Sequence, residues 1–186
     1  MLQKAVAFLK QKEGFTPVAM WDVNAWRIGY GSDTITDALG NVRKVVQTDR
    51  VTVADADRDL QRRIEKEFIP RIIRKIGADA WNKYGDNTKI AFISFAYNYG
   101  DIVKKQIVDA AQTGDRKKLA DAWISSTYND NKRLPENVRN ALRKRRATEA
   151  ALILSDVNGT GAAQPTKIGI FVPMILAGTI TYLLIK

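Results

Sequence analysis

Residues 13–34 read Glu-Gly-Phe-Thr-Pro-Val-Ala-Met-Trp-Asp-Val-Asn-Ala-Trp-Arg-Ile-Gly-Tyr-Gly-Ser-Asp-Thr, and they hold the residue types best suited to chemistry. Eight residues separate Glu13 from Asp22. Cleavage of a glycosidic bond needs two carboxyl groups in unlike surroundings. One is protonated and donates to the leaving oxygen; the other is ionised. Glu13 fits the acid. It stands at the end of a helical pattern, where partial negative charge disfavours a carboxylate, and Phe15, Trp21 or Trp26 could exclude water around it. Asp22, placed beside Asn24 on a polar turn, fits the ionised partner. The glycines at 29 and 31 let backbone approach a sugar closely.

The rest of the composition narrows the chemistry. The 186-residue chain has no Cys and no His. Thiol nucleophiles, Ser-His and Cys-His triads and Cys/His zinc sites are therefore excluded, and proton transfer falls to carboxylates, Lys or Tyr. Nothing calls for a metal or another cofactor. Thirty Lys and Arg against twenty Asp and Glu leave +10. That balance suits an anionic partner: nucleic acid, a membrane surface or an anionic cell wall. No nucleic-acid motif accompanies it, so nucleic acid is not an expected partner.

The elements that must position these residues are mostly helical. Leu2, Ala5, Val6, Phe8 and Leu9 recur at helical spacing up to Gly14, a plausible stop. This N-terminal stretch lacks the uninterrupted apolar region of a signal peptide. Arg27–Tyr30 and Val42–Val46 read as two short strands joined by turn chemistry at Leu39-Gly40-Asn41. Thr52 and Asp55 form a capping-box pattern that opens a helix to about Lys75, with a kink or break at Pro70. Asp86-Asn87 caps a helix over 88–99, stopped by Gly100. Further helices are expected at about 101–113, 115–126 and 136–154.

Three ordered motifs resemble the phage-type lysozymes, the muramidase family of phage endolysins. The first is Glu13-Gly14, Asp22 and the strand Arg27-Ile28-Gly29-Tyr30-Gly31-Ser32. The second is Ala91–Gly100, similar to that family's central buried helix. The third is Leu142–Leu152, similar to its closing Arg-Arg-x-x-Glu-x-x-Leu helix. The resemblance covers residues 1–154 and implies a lysozyme-like α+β domain, mostly helical, with a small β-hairpin sheet beside a cleft. It also implies cleavage of the β-1,4 bond between MurNAc and GlcNAc in peptidoglycan.

Two positions depart from the family pattern. Arg27 stands where the resemblance implies a threonine that positions the attacking water, and Ser32 stands in place of a histidine. Arg27 has no acceptor for a water proton. It could hold Asp22 ionised or bind a substrate carboxylate, and Thr34 is a substitute for the threonine. The departure admits a lytic transglycosylase, in which the substrate's own 6-hydroxyl attacks, or a weak wall-binding protein. The candidate catalytic residues are thus Glu13, Asp22, Arg27 and Thr34. The candidate substrate contacts are Trp21, Trp26, Tyr30, Ser32 and Asn98. Blander readings stand beside them: Asp33 as a turn former, the two tryptophans as hairpin packing, and Arg145 and Arg146 as stapling or solvated charges.

The C-terminus changes character. Residues 155–167 are small, Gly-containing and nearly uncharged, a flexible tether. Ile168–Ile185 is eighteen residues without a charge, bracketed by Lys167 and Lys186. As a helix this spans roughly 27 Å, close to a bilayer core, so a transmembrane helix is expected. A tail anchor with no leader points to a virion-associated enzyme held in the membrane of a lipid-containing phage, alongside capsid or vertex proteins. The alternative is the host inner membrane, facing the periplasm.

Overall fold

The structure is a computed structural model that describes residues 1–102, 104–126 and 134–156. Helix α1 (Leu2–Glu13) buries Ala5, Val6 and Leu9, the face its apolar spacing marks out. Two small antiparallel hairpins follow. Strand β1 (Thr16–Asp22) pairs with β2 (Ala25–Gly29), and β3 (Thr34–Thr36) pairs with β4 (Val42–Lys44). The expected single hairpin of Arg27–Tyr30 with Val42–Val46 is therefore corrected: each segment has a partner the pattern did not show. Thr16–Asp22 hides as a strand because Pro17 interrupts it and alternation is weak. Between Thr16 and Met20 the register shifts, and β1 peels away from β2. There Val51 donates its N–H to the Pro17 carbonyl and Ala19 donates to Asp49, so a third segment takes up the freed backbone groups.

Helix α2 (Val53–Arg63) begins with the expected capping box, Thr52 and Asp55 each bonding the other's backbone N–H. It does not run on as one α-helix. Residues Ile64–Phe68 form a π turn, and α3 (Ile69–Ile76) carries Pro70 in its first turn. Proline has no N–H, and its ring crowds the carbonyl four residues back. The widened turn absorbs this, with Ile69 donating to Ile64 five residues earlier. Helix α4 (Ala78–Lys83) is followed by α5 (Asp86–Tyr99), whose Ile90, Ala91, Phe92, Ile93, Phe95 and Ala96 are all buried. Apolar all round, α5 is the axis of the core. Helix α8 (Glu136–Ser155) packs along it, α6 (Lys105–Thr113) packs on α7 (Arg116–Ser125), and Trp123 of α7 packs edge-on against Phe92 and Phe95.

The N-terminus of α5 is not capped by Asp86 and Asn87, as their types suggested. Asp86 pairs with the amino terminus and with Lys4. The cap comes from Asp156, at the end of α8, whose carboxylate accepts from the N–H groups of Asn87 and Thr88. Gly85 makes room for it, since a Cβ there would lie 2.7 Å from the Asp156 carboxylate. Ser155 and Asp156 thus belong to the folded domain rather than to the tether. The remainder of the expected tether and the apolar segment 168–185 lie outside the described residues. Among the described residues no helix is long and apolar enough to cross a membrane.

Replacing Asp156 with Ala should lower stability by about 1 kcal/mol, the usual worth of a helix N-cap, measured by urea denaturation. Gly85→Ala should also destabilise, because its new methyl displaces the same carboxylate.

Candidate active site

Glu13 is the last residue of α1, and β1 starts three residues later. The helix end therefore delivers one carboxyl group directly to the base of the hairpin that carries the other. The Glu13 side chain is 5% exposed, and its Oε1 meets Arg145 Nη2 at 2.7 Å. The contact shown for the Glu13 carboxyl is thus a guanidinium, beside the aromatic residues expected around it. Phe15 packs on Tyr30 and Trp21 on Trp26. Arg145 stands on α8 and is itself held from α5 and along its own helix. It donates to the carbonyl and hydroxyl of Ser94 on α5 and pairs with Glu149 on α8 at 3.3 Å. Glu149 is fully buried and accepts from Ser94, from Trp123 and from Arg146. Arg146, also fully buried, lies over the rings of Phe95 and Tyr99. Neither arginine is a solvated charge. Arg146 staples the domain, and Arg145 joins that staple to Glu13, a role the sequence reading missed.

Asp22 ends β1 at the hairpin tip rather than standing on a free turn. Its side chain is 16% exposed. Its Oδ1 is buried and receives no hydrogen bond from the described residues. Arg27, across the hairpin, approaches it with Nε at 3.8 Å and reaches Asp33 with Nη1 at 3.6 Å. Arg27 therefore stands within ion-pairing reach of Asp22. The tip is strained. Val23 has φ of +44°, uncommon for a β-branched residue, and the N–H of Asn24 bonds back to the Asp22 carbonyl in a tight three-residue turn.

The register decides what shares a face with Asp22. Met20 faces Arg27, Trp21 faces Trp26, and Asp22 faces Ala25. Side chains alternate across a strand, so Met20, Asp22 and Arg27 lie on one face and the tryptophan pair on the other. Trp21 is 59% exposed there. The two tryptophans, expected against the sugar, point away from the face that carries the carboxylate.

The other expected sugar contacts are drawn inward. Tyr30 is 4% exposed; its carbonyl accepts from Tyr97 and its ring lies below the Lys10 ammonium. Burial pushes its phenol pKa up. Ser32 is buried and donates to Asp59. Thr34 also bonds Asp59 and accepts from Arg62, so its hydroxyl belongs to a buried hub. Thr36 completes that hub, with its hydroxyl 2.6 Å from Asp59. The water-positioning part expected of Thr34 finds a hydroxyl already committed to this network. Asn98 is half-buried and accepts from Arg146 at 3.4 Å. Gly29 has φ of +64°, and an added Cβ would meet Ala56 at 2.8 Å, so glycine here lets the hairpin touch α2.

Asp33, read as a turn former, sits among cations. Burial raises its pKa, but the hydrogen bond from Lys44 and the charges of Arg63 and Arg27 outweigh that and hold it below the usual carboxylate range. Among the described residues, no group of three or more carboxylates is placed to hold a metal ion.

A mostly helical α+β domain with small hairpins, a buried Glu at the end of its first helix and an Asp at the end of the strand that follows is of the lysozyme class. The phage lysozyme family model matches residues 10–149, and the chain belongs to that family, the muramidases that hydrolyse peptidoglycan. Its backbone resembles a crystal structure of a P22 lysozyme mutant, with a TM-score of 0.57 at 19% identity over 81% of this chain and 95% of that one. Among curated protein sequences, none matches the chain closely enough to count as a relative.

The Asp33 environment predicts a pH signature. A carboxyl whose folded pKa is depressed adds stability that is present above its unfolded value of about 3.9 and is lost as pH falls through the folded value. The stability difference between wild type and Asp33→Asn should therefore be full above about pH 5 and shrink on acidification, as urea melts across pH 2–6 would show. At the tip, Val23→Gly should raise the melting temperature by a few degrees. It removes a left-handed β-branched residue worth about 1–2 kcal/mol of strain and gives back part of that as glycine entropy.

Proposed function

We propose that the chain cuts the β-1,4 bond between MurNAc and GlcNAc, with Glu13 as general acid and Asp22 as the second carboxylate. The observation that carries this reading is that one helix–hairpin unit holds both carboxyl groups, Glu13 at the end of α1 and Asp22 at the end of the strand β1 that follows. Glu13 is buried at a helix end against Arg145. Asp22 keeps an oxygen with no hydrogen bond from the described residues, beside a cation that does not close on it. In this mechanism Glu13 protonates the glycosidic oxygen as the C1–O bond breaks, and the developing sugar cation is met by water activated at Asp22. The proton passes from water to Asp22, and the hydroxide adds to C1. Arg27 on the same face balances the charge on Asp22. If the site inverts configuration, the carboxyl separation in a substrate complex is roughly 6.5–9.5 Å.

A second reading is lytic transglycosylation, in which the 6-hydroxyl of MurNAc replaces water and gives a 1,6-anhydro end. Arg27 beside Asp22 favours it, because a guanidinium has no acceptor with which to orient a water molecule. The third, a catalytically weak wall binder, has less support, since both carboxyl groups are present and held.

The proposed setting is a membrane. The uncharged segment 168–185 has the length and flanking lysines of an anchor, and residues beyond Asp156 would tether the catalytic domain to it. An anchored muramidase must face the wall. A lipid layer in a phage particle satisfies that directly and places the enzyme where wall penetration begins; the host inner membrane facing the periplasm is the alternative.

Digestion of purified peptidoglycan should release new reducing MurNAc ends by mass spectrometry, whereas 1,6-anhydro ends would establish the transglycosylase. Glu13→Gln should keep the fold and lose at least tenfold in rate, since general acid catalysis is worth about 10²–10⁴. Retained activity would remove Glu13 from its role. Detergent extraction of purified particles should yield the protein; its absence there and abundance in membranes of infected cells would favour the host membrane.

A further inference from the structure

Arg27 has five N–H donors, yet its contacts with Asp22 and Asp33 are ion pairs at 3.8 and 3.6 Å, both beyond hydrogen-bonding distance. A flexible arginine beside a carboxylate at the edge of a site normally closes into a short bidentate pair. Here two carboxylates pull it from opposite ends, through Nε and Nη1. The consequence falls on Asp22, whose Oδ2 faces the Arg27 Nε at 3.8 Å without a hydrogen bond from it.

Asp33 is able to do this because it does not move with Arg27. Lys44 of β4 donates to Asp33 Oδ2 at 2.5 Å, and Arg63 of α2 lies 3.6 Å from its Oδ1. Its carbonyl accepts from Val45. Arg63 is held in turn. Its guanidinium donates to Ser32 at 2.9 Å, pairs with Glu67 at 3.4 Å and lies over Phe68 and Tyr97. Glu67 belongs to the π turn, where the extra residue per turn lets it meet both Arg62 and Arg63, five and four positions before it. An alternating row of charges thus runs from the helix through Asp33 and Arg27 to Asp22.

We infer that Asp33 is a positioning residue of the glycan-cleaving site. It holds the Arg27 guanidinium midway between two carboxylates, near enough to balance the charge of Asp22 and too far to occupy its oxygens. Asp22 is then left without a tightly bound cation when the nucleophile, water or a sugar hydroxyl, reaches its carboxylate. Without Asp33, Arg27 closes on Asp22 and blocks it. This inference rests on the reading of Asp22 as the second carboxylate.

The test is a set of variants of the full chain, assayed on soluble peptidoglycan fragments with kcat, KM and the pH profile of kcat/KM. Asp33→Asn is expected to lower kcat about tenfold with KM within about twofold, and to move the acid limb to lower pH, because Asp22 becomes tightly paired. Adding Arg27→Gln to that variant should restore at least half of the lost kcat, which a merely structural role for Asp33 would not produce. Asp33→Glu should behave as wild type. Asp49→Asn, which breaks an ion pair with Arg43 on the neighbouring hairpin, should leave both kcat and the acid limb unchanged. Asp33→Ser serves the same test if thermal melts show the asparagine variant unfolded. Wild-type kcat and acid limb in Asp33→Asn, no recovery with Arg27→Gln, or an equal shift in Asp49→Asn would each overturn the inference. Asp22→Asn separates the two levels. If it stays active, the reading of Asp22 fails and this inference with it; if it is inactive while Asp33→Asn is wild type, only the inference fails.

Discussion

One guanidinium, that of Arg145, is where the helical part of the molecule and its chemistry meet. From its place on α8 it reaches α1 through Glu13 and α5 through Ser94, and it pairs with Glu149 one turn along its own helix. A charge taken out of water is tolerated only when its partners and hydrogen bonds are complete. The surrounding structure is arranged accordingly: Glu149 has Arg146, Ser94 and Trp123 as further partners, and Arg146 has two aromatic faces. Loss of one partner from such a set typically costs about 3–5 kcal/mol. Helices α5 and α8 are thus fixed relative to the end of α1, and the position of Glu13 follows from them.

The hairpins are held by a second buried charge. Asp59 on α2 accepts from Ser32, Thr34 and Thr36 and pairs with Arg62. These hydroxyls line the start of the β3–β4 hairpin, so one carboxylate docks it on α2. Gly29 gives the same close contact for the β1–β2 hairpin. Glu13 depends on the first hub, while Asp22 is carried by the β1–β2 hairpin that leaves α1 and touches α2 at Gly29.

Much of this was legible in the residues. The helices, the capping box at Thr52, the apolar axis of α5 and the Glu13, Asp22 and Gly-Tyr-Gly pattern follow from local spacing. What escaped depended on contacts distant in sequence. Asp156 caps a helix that starts seventy residues earlier in the chain, and no local pattern carries that. Asp33 looks like any turn aspartate until Lys44 and Arg63 are placed around it. Arg145 stands four residues before Glu149, which marks a helical ion pair, but its contact with Glu13 needs the fold. The choice between sugar contact and hairpin packing for the tryptophans was left open because their face depends on the pairing of β1, a strand that Pro17 disguises. The family resemblance pointed to the right scaffold while placing Tyr30 and Ser32 too near the sugar; both are inside.

The most direct measurement is a crystal structure of Glu13→Gln with a bound peptidoglycan glycan oligomer. The scissile oxygen should lie about 2.6–3.2 Å from the side chain at position 13, with C1 of the cleaved sugar turned toward the Asp22 carboxylate and Arg27 still apart from it. A glycan bound instead across the Trp21 and Trp26 face, with neither carboxyl position in reach of the bond, would contradict this account.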